Sequence, residues 1–324
     1  MKDLVVIIPV YNEELSILDT LNSVVCVLRE HKELLDVCVY VYNNNSTDNT
    51  VQIVNSFIGD NTAINVVLKN CYRQGKGYVI KQAFSELDAK CYCIIDGDDT
   101  YDTTNLYSMY RMIIDNHMDM VIGDRLSSTY FDENKRLFHN FGNRLMRYSI
   151  NKLFHMHYND ILSGFRMFSY KFVKTFPITS TGFSIETEMN IHAANYDLFV
   201  SDVEVKYQDR KDGSVSKLNT FSDGFKVINK LLEMLWLYRP MLFYNTLAIF
   251  FISIGVFFII PIVDEFCLTG YVPKFPTLIV ACFSVMIGIL SIFIGQIQAS
   301  NSLRQKQNFE LMSIEKERDV YEDR

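Results

Sequence analysis

The sequence lacks the marks of several protein classes. Its seven cysteines are an odd number, and the one close pair, Cys91 and Cys93, does not have the spacing of a zinc site. It contains no P-loop, no internal repeat and no low-complexity segment. Basic residues are not in excess, since 31 lysines and arginines accompany 38 aspartates and glutamates. The net charge of −7 disfavours a nucleic-acid partner, and the 49% of hydrophobic residues excludes a disordered chain.

Charge is absent from two long stretches near the end of the chain. Residues 240–263 form a run of 24 without a charged side chain, and residues 275–303 form a run of 29. A helix needs about 20 apolar residues to cross the core of a bilayer. The two lengths therefore predict a pair of transmembrane helices joined as a hairpin. A pair of buried core helices in a soluble fold is the alternative.

The charges that flank the two runs predict an orientation. The flanking basic residues are Lys226, Lys230, Arg239, Arg304 and Lys306. The short connector between the runs carries one lysine, so the positive-inside rule places both ends of the hairpin in the cytoplasm. The large N-terminal domain is expected there too, because the apolar stretch at residues 4–8 is too short for a signal peptide.

The N-terminal part of the chain alternates short apolar runs with helical patterns. Strands are predicted at residues 4–10, 37–42, 64–68 and 91–95, and helices at 47–57 and 77–87. Asn12 is expected to cap a further helix, which follows the first strand. This rhythm predicts an α/β fold with a mostly parallel sheet, whose ligands bind beyond the carboxyl ends of the strands.

Three polar motifs follow predicted strands, at residues 11–13, 43–48 and 96–99. The last contains three carboxylates in four residues, which repel one another unless a cation joins them. Such hard oxygen ligands suit Mg²⁺ or Mn²⁺, which also bridge a diphosphate, whereas an ordinary acidic turn is the alternative. The amides and hydroxyls of residues 43–48 can bind a nucleobase or ribose, or can form a plain Asx turn.

Several further motifs contain cations. Lys76 lies between two glycines at the start of a predicted helix, where it can approach a phosphate. Residues 134–159 contain five basic residues and no acid, which suits either a membrane surface or a solvated helix face. Asp160 and Arg166 flank a small turn and form either an active-site wall or a buried structural pair. Residues 210–217 combine hydroxyls, a glycine and three cations, as an anion clamp does.

The order of these motifs along the chain carries a family resemblance. The motifs are Ile8-Pro9-Val10-Tyr11-Asn12-Glu13-Glu14, Ser46-Thr47-Asp48, Gly75-Lys76-Gly77, Asp96-Gly97-Asp98, Gly123-Asp124-Arg125, Ser163-Gly164-Phe165-Arg166, Glu186-Thr187-Glu188 and residues 210–217. In this order and spacing they resemble the family 2 glycosyltransferases of GT-A fold. More narrowly, they resemble the polyprenyl-phosphate glycosyltransferases, the dolichyl-phosphate mannose synthase and GtrB-like group. The resemblance covers residues 4–240, and the C-terminal hairpin is similar to that of GtrB-like members.

The resemblance implies a fold and a set of site residues. The fold is an α/β GT-A catalytic domain, Rossmann-like with a mostly parallel sheet, plus a C-terminal two-helix transmembrane hairpin. The implied nucleotide-sugar-binding residues are Pro9, Tyr11, Glu13, Asn43, Asn45, Lys76, Asp96 and Gly97. The implied acceptor-phosphate-binding residues are Arg125, Arg136, Arg210, Ser214 and Lys217. The implied catalytic residues are Asp98, Arg125 and Asp160, and the implied ligands of a Mg²⁺ or Mn²⁺ ion are Asp96 and Asp98.

The family usually has two aspartates where this chain has Asn43 and Asn44. An asparagine donates as well as accepts hydrogen bonds, so the base preference of the family does not carry over. We favour UDP over GDP.

The expected function is inverting transfer of a hexose from a nucleotide-sugar, with a UDP-sugar favoured, to a polyprenyl phosphate. The product is a lipid-phosphate-linked sugar for cell-envelope glycan modification. A lipid monophosphate is already anionic and needs no strong base, so the enzyme has to bring two anions together. One alternative is a processive polysaccharide synthase, although the single tryptophan, Trp236, is not part of a Gln-x-x-Arg-Trp motif. Another is a catalytically inactive GT-A membrane scaffold.

The predicted organisation follows from these expectations. The catalytic domain is expected at residues 1–222, an amphipathic juxtamembrane helix at 223–240, two transmembrane helices within 241–303 and a charged cytoplasmic tail at 304–324. The protein is expected in the cell inner (plasma) membrane as a multi-pass protein, with the catalytic domain and both termini in the cytoplasm. The resemblance to GtrB-like proteins implies a homo-tetramer.

Overall fold

The described chain divides into two units. The computed structural model describes residues 1–31, 36–60, 64–126, 147–149, 151–152, 154, 156, 158–180, 182, 185–208, 233 and 235–322. One unit consists of residues 1–220 together with 309–324, and the other of residues 221–308. The first unit contains the α/β domain, and the second contains most of the two apolar helices.

A seven-stranded sheet forms the centre of the first unit. Its strands are β1 (Lys2–Val10), β2 (Val37–Asn43), β3 (Asn65–Asn70), β4 (Ala89–Ile94), β5 (Met120–Asp124), β6 (Arg166–Ser169) and β7 (Val200–Glu204), in the order β3-β2-β1-β4-β6-β5-β7. Strand β6 is antiparallel to both of its neighbours, and the other pairings are parallel. The predicted α/β fold with a mostly parallel sheet is confirmed.

Helices connect and cover these strands. They are α1 (Ile17–Glu30), α2 (Thr50–Asp60), α3 (Lys76–Glu86), α4 (Leu106–Asp115), α5 (Tyr170–Thr175), α6 (Ile185–Asn195), α7 (Pro240–Thr269) and α8 (Phe275–Glu322). The predicted cap of the first helix is wrong, because Ser16 and not Asn12 occupies the N-cap position of α1. Asn12 has a φ of 54°, a left-handed conformation that asparagine tolerates, and it belongs to the preceding loop.

The core of the first unit surrounds β1, which lies between β2 and β4. Its apolar run, Leu4 to Ile8, is completely buried. A parallel strand covered on both faces needs such an uninterrupted run, because neither face is exposed to water. Helix α1 buries Ile17, Leu21 and Val24, which recur at helical spacing and form the face that packs on the core.

The C-terminal end of α8 belongs to the first unit. Phe309 is 2% exposed and stacks on Tyr196 with ring centroids 4.0 Å apart, and it also contacts the ring of His192. This burial lowers the pKa of His192 to about 3, so the imidazole is neutral at physiological pH. Glu317 is 3.0 Å from the ammonium of Lys171. Helix α8 continues past residue 304 through the segment that the sequence predicted to be a charged tail.

The second unit contains a helical hairpin packed through small residues. A Cβ added at Gly255 would lie 2.8 Å from the carbonyl oxygen of Ala281, and one at Gly288 would lie 3.0 Å from that of Ala248. Such close approach is typical of helices that associate in lipid. Both helices are long and apolar enough to cross a membrane, and 17% and 22% of their most apolar windows are buried.

The hairpin packing predicts an unusual effect of a glycine substitution. In an ordinary exposed helix, Gly255→Ala would stabilise by roughly 1 kcal/mol, because alanine loses less backbone entropy. Here we expect a destabilisation of about 1–3 kcal/mol, because the new methyl group overpacks the interface.

Unfolding of the hairpin by SDS in micelles measures this effect through tryptophan fluorescence. Trp236 is the single tryptophan, and its Nε1 donates to Tyr244 Oη at 2.9 Å in the same unit, so its emission should change when that contact is lost. Phe257→Leu, at a side chain that is 71% exposed, is the control. A stabilised Gly255→Ala variant would contradict the close packing.

Candidate functional site

Four parallel strands bring their carboxyl ends to one edge of the sheet. Val10 at the end of β1 pairs with Asn43 at the end of β2, and Asn43 pairs with Asn70 at the end of β3. On the other side of β1, Ile7 pairs with Ile94 near the end of β4. The polar motifs that follow these strands therefore meet at this edge, as the sequence predicted for a parallel sheet.

Hydrogen bonds join the loop after β1 to the loop after β2. Asn12 Oδ1 accepts from the backbone N–H of Thr47 at 2.7 Å, and the N–H of Glu13 donates to Thr50 Oγ1 at 2.9 Å. Asp48 Oδ1 accepts from the first helical N–H of α2, that of Thr50, at 3.0 Å. Burial alone would raise the pKa of Asp48, but the hydrogen bonds that it accepts lower it below its usual value. The loop that carries Glu13 is thus held by hydrogen bonds to residues that follow β2.

The two asparagines after β2, Asn44 and Asn45, hold the loop that leads to Lys76. The amide of Asn44 donates to the carbonyl oxygens of Cys71 at 3.0 Å and Arg73 at 2.7 Å, and its Oδ1 accepts from the N–H of Gly75 at 2.7 Å. A carboxylate at this position would face two carbonyl oxygens without a proton to donate, which explains why an asparagine occupies it. Asn45 donates to the carbonyl oxygen of residue 72 at 3.0 Å.

The aspartates of the motif after β4 differ in exposure. The side chain of Asp96 is 29% exposed, whereas Asp98 as a residue is 6% exposed. Asp98 Oδ1 accepts from the hydroxyl of Thr100 at 2.7 Å. Gly164 lies directly against Asp96, because a Cβ there would be 2.0 Å from Asp96 Oδ2. A glycine at position 164 therefore leaves room for this carboxylate.

Lys76 forms an ion pair with two carboxylates. Its Nζ is 2.6 Å from Asp96 Oδ1 and 2.6 Å from Glu186 Oε1, and its side chain is 8% exposed. Burial alone would lower the pKa of Lys76, but the two carboxylates raise it well above its usual value, so the ammonium remains charged. The other oxygen of Glu186, Oε2, is buried and has no hydrogen-bond partner among the residues that the structure describes.

Asp160 and Arg125 form a second buried ion pair. Asp160 is completely buried, and its Oδ2 and Oδ1 accept from Arg125 Nε at 2.6 Å and Nη2 at 3.2 Å. The guanidinium also lies 5.8 Å from the ring centroid of Tyr101 and 5.5 Å from that of Tyr207. Burial alone would raise the pKa of Asp160, but the charge of Arg125 outweighs it and holds the pKa below its usual value.

The sequence offered a buried pair of Asp160 and Arg166 as an alternative, and this alternative is wrong because Asp160 pairs with Arg125 instead. Arg166 is buried, but its guanidinium donates to the carbonyl oxygens of Ser163 at 2.8 Å and Ile161 at 2.9 Å, and to Asn190 Oδ1 at 3.0 Å. The pKa of Arg166 is lowered by this burial. Arg166 thus fixes the shape of the loop from Asp160 to Gly164, while Arg125 neutralises its carboxylate.

The remaining predicted residues divide into two groups. Pro9 lies in β1 opposite Tyr42, and Tyr11 and Gly97 lie in the loops after β1 and β4. The other four, all assigned to the acceptor phosphate, lie outside the described residues: Arg136, Arg210, Ser214 and Lys217. The same holds for most of the basic stretch at residues 134–159 and of the predicted juxtamembrane helix at 223–240.

The sequence alone assigned no site role to Glu186 or to the two tyrosines beside Arg125. The motif Glu186-x-Glu188 was visible, and its signal is a pair of carboxylates in the first turn of a helix whose residues are all buried. Glu188 is held by the backbone N–H groups of Thr179 at 3.1 Å and Ser180 at 2.9 Å, which distinguishes its role from that of Glu186. Tyr207 carries no sequence signal, because its position depends on the pairing with Tyr101 across the fold.

The residues at the sheet edge fit a divalent metal ion that binds together with a phosphate ligand. Within the described ranges, no group of three histidine, cysteine or acidic side chains is arranged to hold a metal ion by itself. Asp96 and Asp98 supply two hard carboxylates. Mg²⁺ in proteins is commonly held by one or two carboxylates, while substrate phosphates and water supply the other ligands.

The chain resembles known proteins in sequence and in fold. The glycosyl transferase family 2 model matches residues 5–176. Glycosyltransferase AglJ of Haloferax volcanii is 27% identical over 244 residues, which cover 75% of each chain. An uncharacterized Shigella flexneri protein is 36% identical over 147 residues, which cover 45% of this chain and 90% of that one.

Solved structures extend the likeness to the fold. Glucosyl-3-phosphoglycerate synthase from Mycobacterium tuberculosis, in complex with Mn²⁺, UDP-glucose and phosphoglyceric acid, has a TM-score of 0.51 at 16% identity, over 72% of this chain and 79% of that one. Mannosyl-3-phosphoglycerate synthase from Rubrobacter xylanophilus has a TM-score of 0.52 at 15% identity, over 72% and 74% of the two chains. The α/β unit has the GT-A fold, and the chain belongs to glycosyl transferase family 2 and is a glycosyltransferase.

Proposed function

We propose that this glycosyltransferase transfers a hexose from a nucleotide-sugar, a UDP-sugar by preference, to a polyprenyl phosphate at the cytoplasmic face of a membrane. One observation carries the proposal. The chain that contains the site at the sheet edge also contains two helices, α7 and α8, that are long and apolar enough to span a bilayer. An enzyme anchored in this way acts where a lipid phosphate emerges from the membrane.

The orientation of the hairpin rests on its flanking charges. Arg239 precedes α7, and Arg304 and Lys306 follow the second apolar run, whereas the connector carries Lys274 close to Glu265. Under the positive-inside rule both ends of the hairpin face the cytoplasm, where nucleotide-sugars are made. This multi-pass topology, with the catalytic unit in the cytoplasm, is part of the proposal.

The donor is assigned to the edge formed by β1, β2 and β4. Asp96 and Asp98 would hold Mg²⁺ or Mn²⁺, which, when bound with the donor, neutralises the charge of the leaving diphosphate. The loops after β1 and β2, with Tyr11, Glu13 and Asn45, would surround the nucleoside. The likeness in fold to an enzyme solved with UDP-glucose and Mn²⁺ supports a UDP-sugar and a divalent metal.

The acceptor phosphate is assigned to Arg125. Asp160 accepts hydrogen bonds from the guanidinium of Arg125, and the rings of Tyr101 and Tyr207 lie beside it. These contacts fix the orientation of the guanidinium before the substrate binds. The phosphate monoester is already an anion and attacks the anomeric carbon in line, on the face opposite the leaving diphosphate, which inverts the configuration. Asp160 would act as a positioning residue, because a carboxylate paired with Arg125 is a weak base.

A lipid assay tests the proposal. Membranes that contain the protein are incubated with labelled nucleotide-sugars and Mn²⁺ or Mg²⁺, and the lipids are then extracted. We expect label in a lipid that releases the sugar in mild acid. Label in polymer alone would instead indicate a processive synthase. Failure to transfer from any donor, while the nucleotide still binds, would indicate an inactive scaffold.

Removal of one carboxylate tests the metal assignment. We expect Asp98→Asn to lower transfer by about 100-fold or more, because charge stabilisation of a leaving group contributes this much to catalysis. Chelation of divalent cations should abolish transfer by the unmodified protein, and added Mn²⁺ should restore it. Asp60→Asn, at an exposed residue of α2, is the control. Full activity of Asp98→Asn would refute the assignment.

The ion pair between Asp160 and Arg125 predicts a pH-independent mutant effect. Because the pKa of Asp160 is lowered, the carboxylate is ionised in the native protein throughout pH 5–8. We expect Asp160→Asn and Arg125→Ala each to lower kcat/KM for the lipid phosphate by about 100-fold at every pH in this range. The double variant should be no worse than either single one, because the two side chains act as a unit.

The double variant distinguishes this role from general-base catalysis. If Asp160 took a proton while Arg125 separately bound the phosphate, the two losses would add, and the double variant would be about 100-fold slower than either single one. Such a further loss would contradict the positioning role.

A further inference from the structure

The ion pairs of Lys76 place a cation on a proposed metal ligand. Lys76 Nζ is 2.6 Å from Asp96 Oδ1, and the side chain is 8% exposed, so water screens its charge weakly. Lys76 is the first residue of α3. The preceding loop is held by Asn44, whose Oδ1 accepts from the N–H of Gly75 at 2.7 Å. The start of α3 and the loop that Asn44 holds therefore position the ammonium of Lys76 beside Asp96.

A divalent cation and this ammonium compete for the same carboxylate. A metal ion that bound Asp96 and Asp98 alone would gain two carboxylates but would also meet the repulsion of the Lys76 charge. Within the described ranges no third acidic side chain is arranged to complete a metal site. A donor diphosphate changes this balance, since its oxygens are additional metal ligands and additional anions for the ammonium.

Glu186 offers the ammonium a second position. Its carboxylate is 7% exposed, and Oε1 already accepts from Lys76 at 2.6 Å. Oε2 is buried and has no hydrogen-bond partner in the described part of the chain. A buried carboxylate oxygen without a donor is costly, so Glu186 is able to accept a further hydrogen bond. Lys76 can leave Asp96 and remain paired through both oxygens of Glu186.

We propose that Lys76 makes metal binding at Asp96 and Asp98 depend on the nucleotide. Without the nucleotide, Lys76 occupies Asp96 and opposes the metal ion. When the diphosphate arrives, Lys76 moves onto Glu186 and the phosphate, and Asp96 becomes available to the metal ion. This inference rests on the proposed function, in which the two aspartates hold the metal ion of the donor.

Mn²⁺ binding, measured by the loss of the free-ion EPR signal, tests the inference in the purified full-length protein with and without UDP. For the unmodified protein we expect UDP to tighten Mn²⁺ binding by at least about tenfold, a usual size for coupling between ligands. In Lys76→Met, Mn²⁺ without UDP should bind about tenfold more tightly than to the unmodified protein, and UDP should add little. By reciprocity, Mn²⁺ should also tighten UDP binding less in the variant.

Two further variants control for charge and for folding. Lys81→Met removes one positive charge from the same helix and should leave Mn²⁺ binding unchanged. Lys81 Nζ donates to the carbonyl oxygen of Ile178 at 3.4 Å, and no carboxylate partner is found for it among the described residues. Glu186→Gln should weaken Mn²⁺ binding without UDP, because Asp96 is then the one carboxylate partner of Lys76 in the described part of the chain. Lys76→Met and Glu186→Gln thus have opposite effects, which general destabilisation would not produce.

Two outcomes overturn the inference and are distinguishable. If Mn²⁺ binds with UDP, yet the folded Lys76→Met variant without UDP binds Mn²⁺ no more tightly than the unmodified protein, the gating role of Lys76 is wrong and the metal site stands. If neither protein binds Mn²⁺ even with UDP, the metal assignment itself is wrong, and this inference falls with it.

Discussion

The compensation of buried charge determines how the site is assembled. An ion removed from water costs several kcal/mol unless an opposite charge and hydrogen bonds replace its hydration. Lys76 meets this requirement through Asp96 and Glu186, which joins α3, the end of β4 and α6. Arg125 meets it through Asp160, which joins the end of β5 to the loop before β6. The elements that carry the site are thus held together by the same charges that the proposed chemistry uses.

The loop from Asp160 to Gly164 connects the two halves of the site. At one end Asp160 holds Arg125, the proposed contact of the acceptor phosphate. At the other end Gly164 lies against Asp96, the proposed metal ligand, and its N–H donates to Tyr101 Oη at 2.7 Å. The ring of Tyr101 also contacts Arg125. A short rigid loop therefore relates the donor position to the acceptor position, which a transfer between two anions requires.

Arg166 gives this loop its rigidity. Its guanidinium binds carbonyl oxygens within the loop and the side chain of Asn190 on α6, the helix that also carries Glu186. His192 of α6 and Tyr196, which follows the helix, in turn contact the ring of Phe309. The C-terminal end of α8 therefore contributes to the packing of the catalytic unit, although the sequence around it is mostly charged.

The sequence by itself determined the features that depend on local pattern. The alternation of apolar runs and helical faces predicted the parallel strands, because burial on both faces requires uninterrupted apolar side chains. The absence of charge from two long stretches predicted the two apolar helices. The motif after β4 predicted that carboxylates lie at the edge of the sheet, where we propose that the metal ion binds. Tertiary structure decided the partners. Lys76 pairs with Glu186, which lies 110 positions away in the sequence. Asp160 pairs with Arg125 and not with Arg166, although Arg166 is closer to it in the sequence. These choices depend on which side chains meet when strands and helices pack, and charge compensation at that point cannot be deduced from spacing along the chain.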